Sequence, residues 1–322
     1  MQDYKQFLIE CDQAPRLTKL ADFFAGAAAG KSGMPLQKPV VDMRLLPSDK
    51  RMQSLVELHA RRQGHFDQHY HSSIPYRLEE ECRMAYALLQ FAQATTRGIS
   101  IYSLGTAEGT MARTLCELGE GHITSLSCSP NKENYECFKA FGEPPFAEFF
   151  LGPFHHLTKD YLQNSERLQS FAKGFDFILE DTTFQMYSAN RLQQIGFVAQ
   201  HLKDDGILLL VEKFRAEEPA DYFAREVQKD FGFKARYFSH DEIRKKAAHV
   251  LKTMHESEVT LSDMASAIHA HFKYCVVTWN SGNFYGLAAS NCNINLGRYL
   301  SCLVGPAIPR EYTYGPGPNT PL

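Results

Sequence analysis

The sequence predicts an α/β domain whose mainly parallel sheet is closed by an antiparallel hairpin, and three observations carry that prediction. Between residues 99 and 211, short apolar runs alternate with amphipathic helical stretches, the pattern of a parallel sheet with helices on both faces. The first run, Ile99-Ser-Ile-Tyr-Ser-Leu104, breaks at Gly105-Thr-Ala-Glu-Gly109 into a helix. Glycines at such a junction allow positive φ and a close backbone approach to a ligand. Late in the chain, two alternating segments, Tyr274 to Trp279 and Asn283 to Ala289, flank Ser281-Gly282 as a hairpin.

Residues 1–63 form an N-terminal extension or cap, with helices expected over Tyr4 to Glu10, Arg16 to Phe24 and Ser48 to Gln63. Within it, Ala25-Gly-Ala-Ala-Ala-Gly-Lys-Ser32 fits the loose form of a phosphate-binding loop. That motif needs a strand before it and a helix starting at its lysine. Here a helix-like stretch precedes it and Gly33, Pro35 and Pro39 follow, so it reads as a small-residue connection. In Gly64-His-Phe-Asp-Gln-His-Tyr-His71, His65 and His69 share a helix face at i, i+4, but the spacing supplies no third ligand and no metal is expected. An apolar period of 3.6 over Leu78, Cys82, Ala85, Leu88, Leu89 and Ala92 predicts a helix from Arg77 to Ala94.

After the glycine turn come a helix to Leu118, a strand over Ile123 to Cys128, and a helix over Lys132 to Phe141 capped by Ser129-Pro-Asn131. Strands follow at Ala147 to Leu151 and Phe175 to Glu180, separated by a charged helical stretch over Lys159 to Lys173. A helix spans about Ala189 to Leu202, and Lys203-Asp-Asp-Gly206 turns the chain into the strand Ile207 to Val211. A helical insertion at about 215–272 carries segments at Ala220 to Phe231, His240 to His255 and Leu261 to Phe272. The tail, 291–322, is rich in proline and glycine and is expected to be extended.

Composition excludes several classes. The chain has 322 residues, 44% hydrophobic and 22% charged, ample for a large buried core. A net charge of -3 provides no overall footprint for nucleic acid or an anionic membrane, so neither is an expected partner. The eight cysteines contain no C-x-x-C pair, and the N-terminus lacks a basic region followed by an apolar run. Reduced thiols in a cytoplasmic protein are the expectation. No run reaches the roughly 20 apolar residues that span a bilayer.

In a doubly wound sheet the ligand sits beyond the carboxyl ends of the strands beside the first strand. This places residues 105–109, the end of the second strand near Ser127, and the end of the fourth near Asp181 around one crevice. That architecture fits a dinucleotide enzyme, a methyltransferase or a small-molecule kinase. Four short motifs narrow it: Ser73-Ile-Pro-Tyr76, Tyr102-Ser-Leu-Gly-Thr-Ala107, Thr183-Phe-Gln-Met186, and Asp205-Gly206 with Glu212-Lys-Phe214. Together with Asp241-Glu-Ile243 and Gly282-Asn-Phe284, they resemble, over about residues 64–290, the class I S-adenosylmethionine (SAM) methyltransferases, closest to the carboxy-SAM synthases of the tRNA wobble-uridine pathway.

The resemblance implies a Rossmann-like fold, SAM as cofactor, a small-molecule substrate and a homodimer. Carried over by motif, the cofactor-binding positions are Tyr76, Gly105, Thr106, Ala107, Gly109, Ser127, Cys128, Pro153, Phe154 and Asp181. The departures bear on the chemistry. Ser127-Cys128 stands where the family has an acid for the ribose hydroxyls, Ser103 where an acid precedes the first glycine, and Pro153 where an Asp lies near adenine. Serine replaces charge-assisted bonds with neutral ones about half as strong; Glu108, Glu180 or Asp181 are the candidate compensations. The family arginine that pairs the extra carboxylate of carboxy-SAM falls on Ala247, with Lys245 and Lys246 just before it. The expectation is therefore methyl transfer from SAM to an unidentified acceptor. The alternatives are a non-catalytic scaffold with a degenerate SAM site, or a carboxy-SAM synthase-like enzyme. Asp181, Tyr187, His155 and His156 are the candidate crevice-facing bases, with no catalytic residue assigned.

Overall fold

The computed structural model describes residues 4–105 and 107–322; in the second helix the side chains of residues 15–18 are not described. Seven strands form one sheet: β1 (Ile99–Leu104), β2 (Ile123–Ser129), β3 (Ala147–Leu151), β4 (Phe175–Asp181), β5 (Leu202–Lys213), β6 (Tyr274–Ser281) and β7 (Phe284–Ser290). Their order is β3-β2-β1-β4-β5-β7-β6, with β1 to β5 parallel and β7 antiparallel to both β5 and β6. This is the expected Rossmann-like methyltransferase fold, a mainly parallel sheet closed by an antiparallel hairpin. Parallel register aligns Ser103 with Ser127 on one side and Leu179 on the other, so the carboxyl ends of β1, β2 and β4 open on one edge.

The helices in chain order are α1 (Lys5–Asp12), α2 (Pro15–Ala28), α3 (Lys50–Arg62), α4 (His65–His71), α5 (Arg77–Gln93), α6 (Thr110–Leu118), α7 (Lys132–Ala140), α8 (Lys159–Asn164), α9 (Arg191–Ala199), α10 (Pro219–Val227), α11 (His240–Lys246), α12 (Lys252–His255), α13 (Leu261–His269) and α14 (Asn293–Cys302). Strand side chains alternate between two cores. Ile101, Phe177 and Leu209 pack under α3, α5, α6 and α14, whereas Tyr102, Ile178 and Leu208 pack toward α1, α9 and α13. A T-shaped contact between Phe91 and Phe177, with centroids 5.0 Å apart, ties α5 to the sheet. Phe7 against Phe197 at 5.4 Å ties down α1. No helix among the described residues is long and apolar enough to cross a membrane.

Several elements depart from the pattern read in the sequence. The tail was expected to be extended, yet Asn293–Cys302 is helical and buries Leu296 and Tyr299 in the first core. The prolines and glycines that suggest extension all lie from Gly305 onward except for Gly297. The end of the tail then pairs with β6, through Asn319 N–H to the Val277 carbonyl at 2.7 Å and Leu322 N–H to the Cys275 carbonyl at 3.0 Å, and covers that sheet edge. The stretch over Lys159 to Lys173 is not one helix but α8 followed by a 3₁₀ turn at Gln169–Lys173. Lys203 to Gly206 is not a turn but part of β5, where the pairing jumps from Phe175 with Leu202 to Phe177 with Ile207. Residues 25–28 end α2, and neither a strand nor a helix start flanks Lys31.

Candidate active-site cavity

A cavity opens at the carboxyl ends of β1, β2 and β4. Of the residues expected to bind cofactor, Gly105, Ala107, Gly109 and Asp181 line it. Thr106 lies outside the described residues. Tyr76, Ser127, Cys128, Pro153 and Phe154 do not line the cavity. Tyr76 holds a left-handed φ of 58° before α5 and packs on Phe233 and Tyr312. The buried Cys128 thiol contacts the Tyr102 hydroxyl at 3.3 Å. Phe154, with Pro153 just before it, sits in the second core against Phe184 and Tyr187.

The two turn glycines have a reason other than open approach to a ligand. Both have positive φ, 64° at Gly105 and 63° at Gly109. A Cβ on Gly105 would lie 2.0 Å from Thr183 Oγ1, and one on Gly109 would lie 2.4 Å from Ser127 Oγ. Ser127 is thus buried beneath the turn, and the strand-end residue that reaches the cavity is Ser129, two positions on. Ser129 Oγ accepts from Asn131 N–H at 3.2 Å and from Asn134 Nδ2 at 2.8 Å. That leaves Asn134 Oδ1 buried with no partner and the residue on the cavity wall. Ser103 Oγ and Asp67 Oδ2 are in the same position. Burial and the nearby Glu108 push the Asp67 carboxyl well above the usual carboxylate range.

The expected compensating acids are committed elsewhere. Glu108 accepts from Phe66 N–H at 2.8 Å and Asp67 N–H at 3.2 Å, satisfying the open first turn of α4. Glu180 accepts from Thr183 N–H at 2.6 Å and Phe184 N–H at 2.9 Å and so holds the turn after β4. Asp181 receives Tyr70 hydroxyl at 2.5 Å and the Arg77 guanidinium, which also pairs with Glu81 at 3.3 Å. Of the candidate bases, Tyr187 lines the cavity, and burial raises its hydroxyl well above the ordinary tyrosine value. His155 and His156 lie outside it, both sharing Asp12 Oδ1, at 2.8 and 2.6 Å. Their ligand atoms come within 4.8 Å of one another, but His155 Nδ1 is buried without the acceptor that orients a metal-bound imidazole.

Two further parts of the wall come from segments that the sequence does not place together. Phe23 and Phe24 of α2 and Phe66 of α4 supply an aromatic side. The other is a group of lysines, Lys213 on β5 and Lys229, Lys234 and Lys246 on the insertion. Lys213 bonds to Glu226 at 2.9 Å and lies 3.2 Å from Glu258; these carboxylates hold its pKa above the ordinary lysine value despite burial. Lys229 pairs with Glu226 at 2.5 Å and Lys234 with Asp230 at 2.8 Å. Burial still pushes Lys234 down to about 8. The insertion helices that carry them contain π-helical turns at Gln228–Phe233 and Ala247–Leu251, each adjoining the cavity. Lys213 closes the apolar run of β5 and Lys246 stands next to the position of the family arginine, so these two carry a sequence signal; Lys229 and Lys234 look like surface residues of polar helices.

No family model and no curated protein matches the chain. Among solved structures, the plantazolicin methyltransferase BamL in complex with a triazolic desmethylPZN analog and SAH is similar at 13% identity, covering 76% of this chain and 100% of that one, with a TM-score of 0.48. The plantazolicin methyltransferase BpumL with a monoazolic desmethylPZN analog and SAH gives 13%, 75% and 99%, with a TM-score of 0.47. A putative O-methyltransferase from Klebsiella pneumoniae gives 11%, 77% and 93%, with a TM-score of 0.43. Scores and identities this low leave the functional reading to the geometry of the site.

Proposed function

We propose that the protein is a SAM-dependent methyltransferase acting on a small-molecule acceptor. One observation carries the reading: the cavity lies at the strand ends beside the Gly105–Gly109 turn, and its wall keeps the polar atoms Asn134 Oδ1, Ser103 Oγ and Asp67 Oδ2 buried without partners. A buried polar atom left unpaired costs about 1–3 kcal/mol, which a ligand's hydroxyl or amino groups recover. In this reading Ser129, at the end of β2, and Asn134, on α7, hold ribose hydroxyls in the absence of a carboxylate, and Ser103 with Ala107 and Gly109 holds the part of SAM nearer β1. Bound SAM supplies a sulfonium methyl that transfers by in-line displacement.

The chain's own contribution is then positioning and exclusion of water. Phe23, Phe24, Phe66 and Met186 line the space where an acceptor would lie, and such walls hold the reacting groups together without solvent. Asp181 serves as a fixed positioning anchor, because Arg77 and Tyr70 already occupy its oxygens. Calorimetric titration with SAM and S-adenosylhomocysteine (SAH) tests the reading. Binding is expected, and Asn134→Ala is expected to weaken SAH by about threefold to tenfold, the worth of one neutral hydrogen bond. Absence of heat with either compound refutes the enzyme reading in favour of a scaffold that has lost its cofactor.

A further inference from the structure

We infer that the cavity contains an anion subsite at Lys246, and that the acceptor is an apolar or aromatic molecule bearing a carboxylate or similar anionic group. The inference rests on the methyltransferase reading for the word acceptor, but the subsite itself stands on charge and geometry. Four lysines line the cavity, and the carboxylates bonded to them number three: Glu226, Asp230 and Glu258. Lys213, Lys229 and Lys234 share those three carboxylates. Lys246 has none. Its amine donates to His69 Nε2 at 2.6 Å and to Ser73 Oγ at 2.9 Å, both neutral.

The His69 tautomer is set by its other nitrogen. Nδ1 lies 2.5 Å from the Gly33 carbonyl and must donate to it, which leaves Nε2 as the acceptor for Lys246. The imidazole therefore cannot supply a negative charge, and burial beside the lysines keeps it neutral. Ser73 is likewise occupied, donating to the His69 carbonyl at 2.7 Å. With two of its three donor positions used, Lys246 retains one. Without a bonded counter-ion, burial and the nearby Lys234 and Lys229 lower its pKa well below the ordinary lysine value, against the weaker opposing pull of Asp230, which is itself bonded to Lys234. The other acids of the cavity wall are not paired with it: Asp181 and Glu81 are engaged by Arg77, and Asp67 lies beside Glu108 at the start of α4 and makes no ion pair with Lys246. An anion on the ligand is the missing partner, and a charge-assisted bond in such a place is roughly twice as strong as a neutral one.

The surroundings define the rest of the ligand. The amine sits 5.8 Å from the centroid of the Phe23 ring, and Phe66, Val250 and Leu251 complete an apolar wall. The cavity leaves about 160 Å³ open to the centre of a water molecule. Apolar protein cavities of about 150 Å³ accept a benzene ring, so a single aromatic ring with one carboxylate is a suitable probe.

The test is calorimetric titration of the full chain with benzoate and with its neutral isostere benzamide, with and without saturating SAH. The wild type is expected to bind benzoate about tenfold more tightly than benzamide. Lys246→Met should abolish that preference, Lys246→Arg should retain most of it, and Lys245→Met, a change at the exposed neighbour, should leave it intact. Thermal melting of each variant separates loss of the subsite from loss of the fold. No detectable benzoate binding, no preference in the wild type, or a preference that survives in a folded Lys246→Met protein overturns the inference. Saturating SAH distinguishes the source of the anion. If SAH abolishes the preference and Lys246→Met weakens SAH, the carboxylate held there belongs to the cofactor's amino-acid tail and the acceptor assignment is overturned. If SAH does not bind at all while the benzoate preference follows Lys246, the methyltransferase reading fails and the subsite stands.

Discussion

Replacing Gly105 by alanine puts the packing of the turn to a quantitative test. The added Cβ would meet Thr183 Oγ1 at 2.0 Å, Cγ2 at 2.9 Å and Cβ at 3.0 Å, at a φ of 64°. The left-handed conformation costs a non-glycine residue about 1–2 kcal/mol. Overpacking against Thr183 adds about 1–3 kcal/mol, because Thr183 Oγ1 is held by its bond to the Leu104 carbonyl at 3.0 Å and cannot swing away freely. The expected loss in urea unfolding is therefore about 2–5 kcal/mol. Thr183→Ala alone should cost about 1 kcal/mol through that hydrogen bond. In the double variant the Oγ1 and Cγ2 clashes are gone, so the overpacking part is recovered and only the backbone strain and the lost bond remain. The cycle should thus show a coupling of about 1–3 kcal/mol; additivity within about 0.5 kcal/mol would mean that the turn yields and that steric exclusion is not why glycine stands there.

Three further outcomes follow from buried groups. Arg77→Met leaves Asp181 and Glu81 without their shared guanidinium, a buried break expected to cost about 3–5 kcal/mol in denaturant unfolding; a loss below about 1 kcal/mol would show that the pair is not desolvated. His201 is buried, and its pKa falls from 6.5 to about 4. Between those values the unfolded chain takes up a proton that the folded chain refuses, so stability drops as pH falls from 6.5 toward 4, by about 3 kcal/mol in all. His201→Gln should flatten that part of the stability profile, and an unchanged slope would refute the assignment. Tyr299→Ala should cost about 3–5 kcal/mol, since its ring is fully buried and lies 5.6 Å from Phe177; a small change in melting temperature would mean the tail helix is not part of the core.

The sheet was legible because each of its signals is local. Strand periodicity, glycine punctuation and the hairpin turn reside in a handful of consecutive residues, and the bounds read for β1 and β3 agree with the structure to the residue and those for β2 and β4 to within one. The polar face of α5 was not legible. Glu79, Glu80, Glu81 and Arg83 look like solvated helix positions, yet all are buried, because α3 and α14 cover the helix from distant parts of the chain. Arg83 pairs there with Glu80 at 2.6 Å, and His59 of α3 meets Glu81 at 2.8 Å.

The candidate site divides in the same way. Neighbouring residues alone are enough to specify the glycine turn and a serine rather than an acid at the end of the second strand, since each is read along one segment. Which serine reaches the cavity depends on what packs beneath Gly109, so Ser127 lies under the turn and Ser129, equally buried from solvent, lines the cavity. Glu108 and Glu180 are drawn to backbone N–H groups that no sequence pattern announces. Most of all, the lysine without a carboxylate emerges only when segments 33–73 and 213–258 meet, because charge balance in a cavity is a sum over side chains that the fold, rather than the order of the chain, brings within a few ångströms of one another.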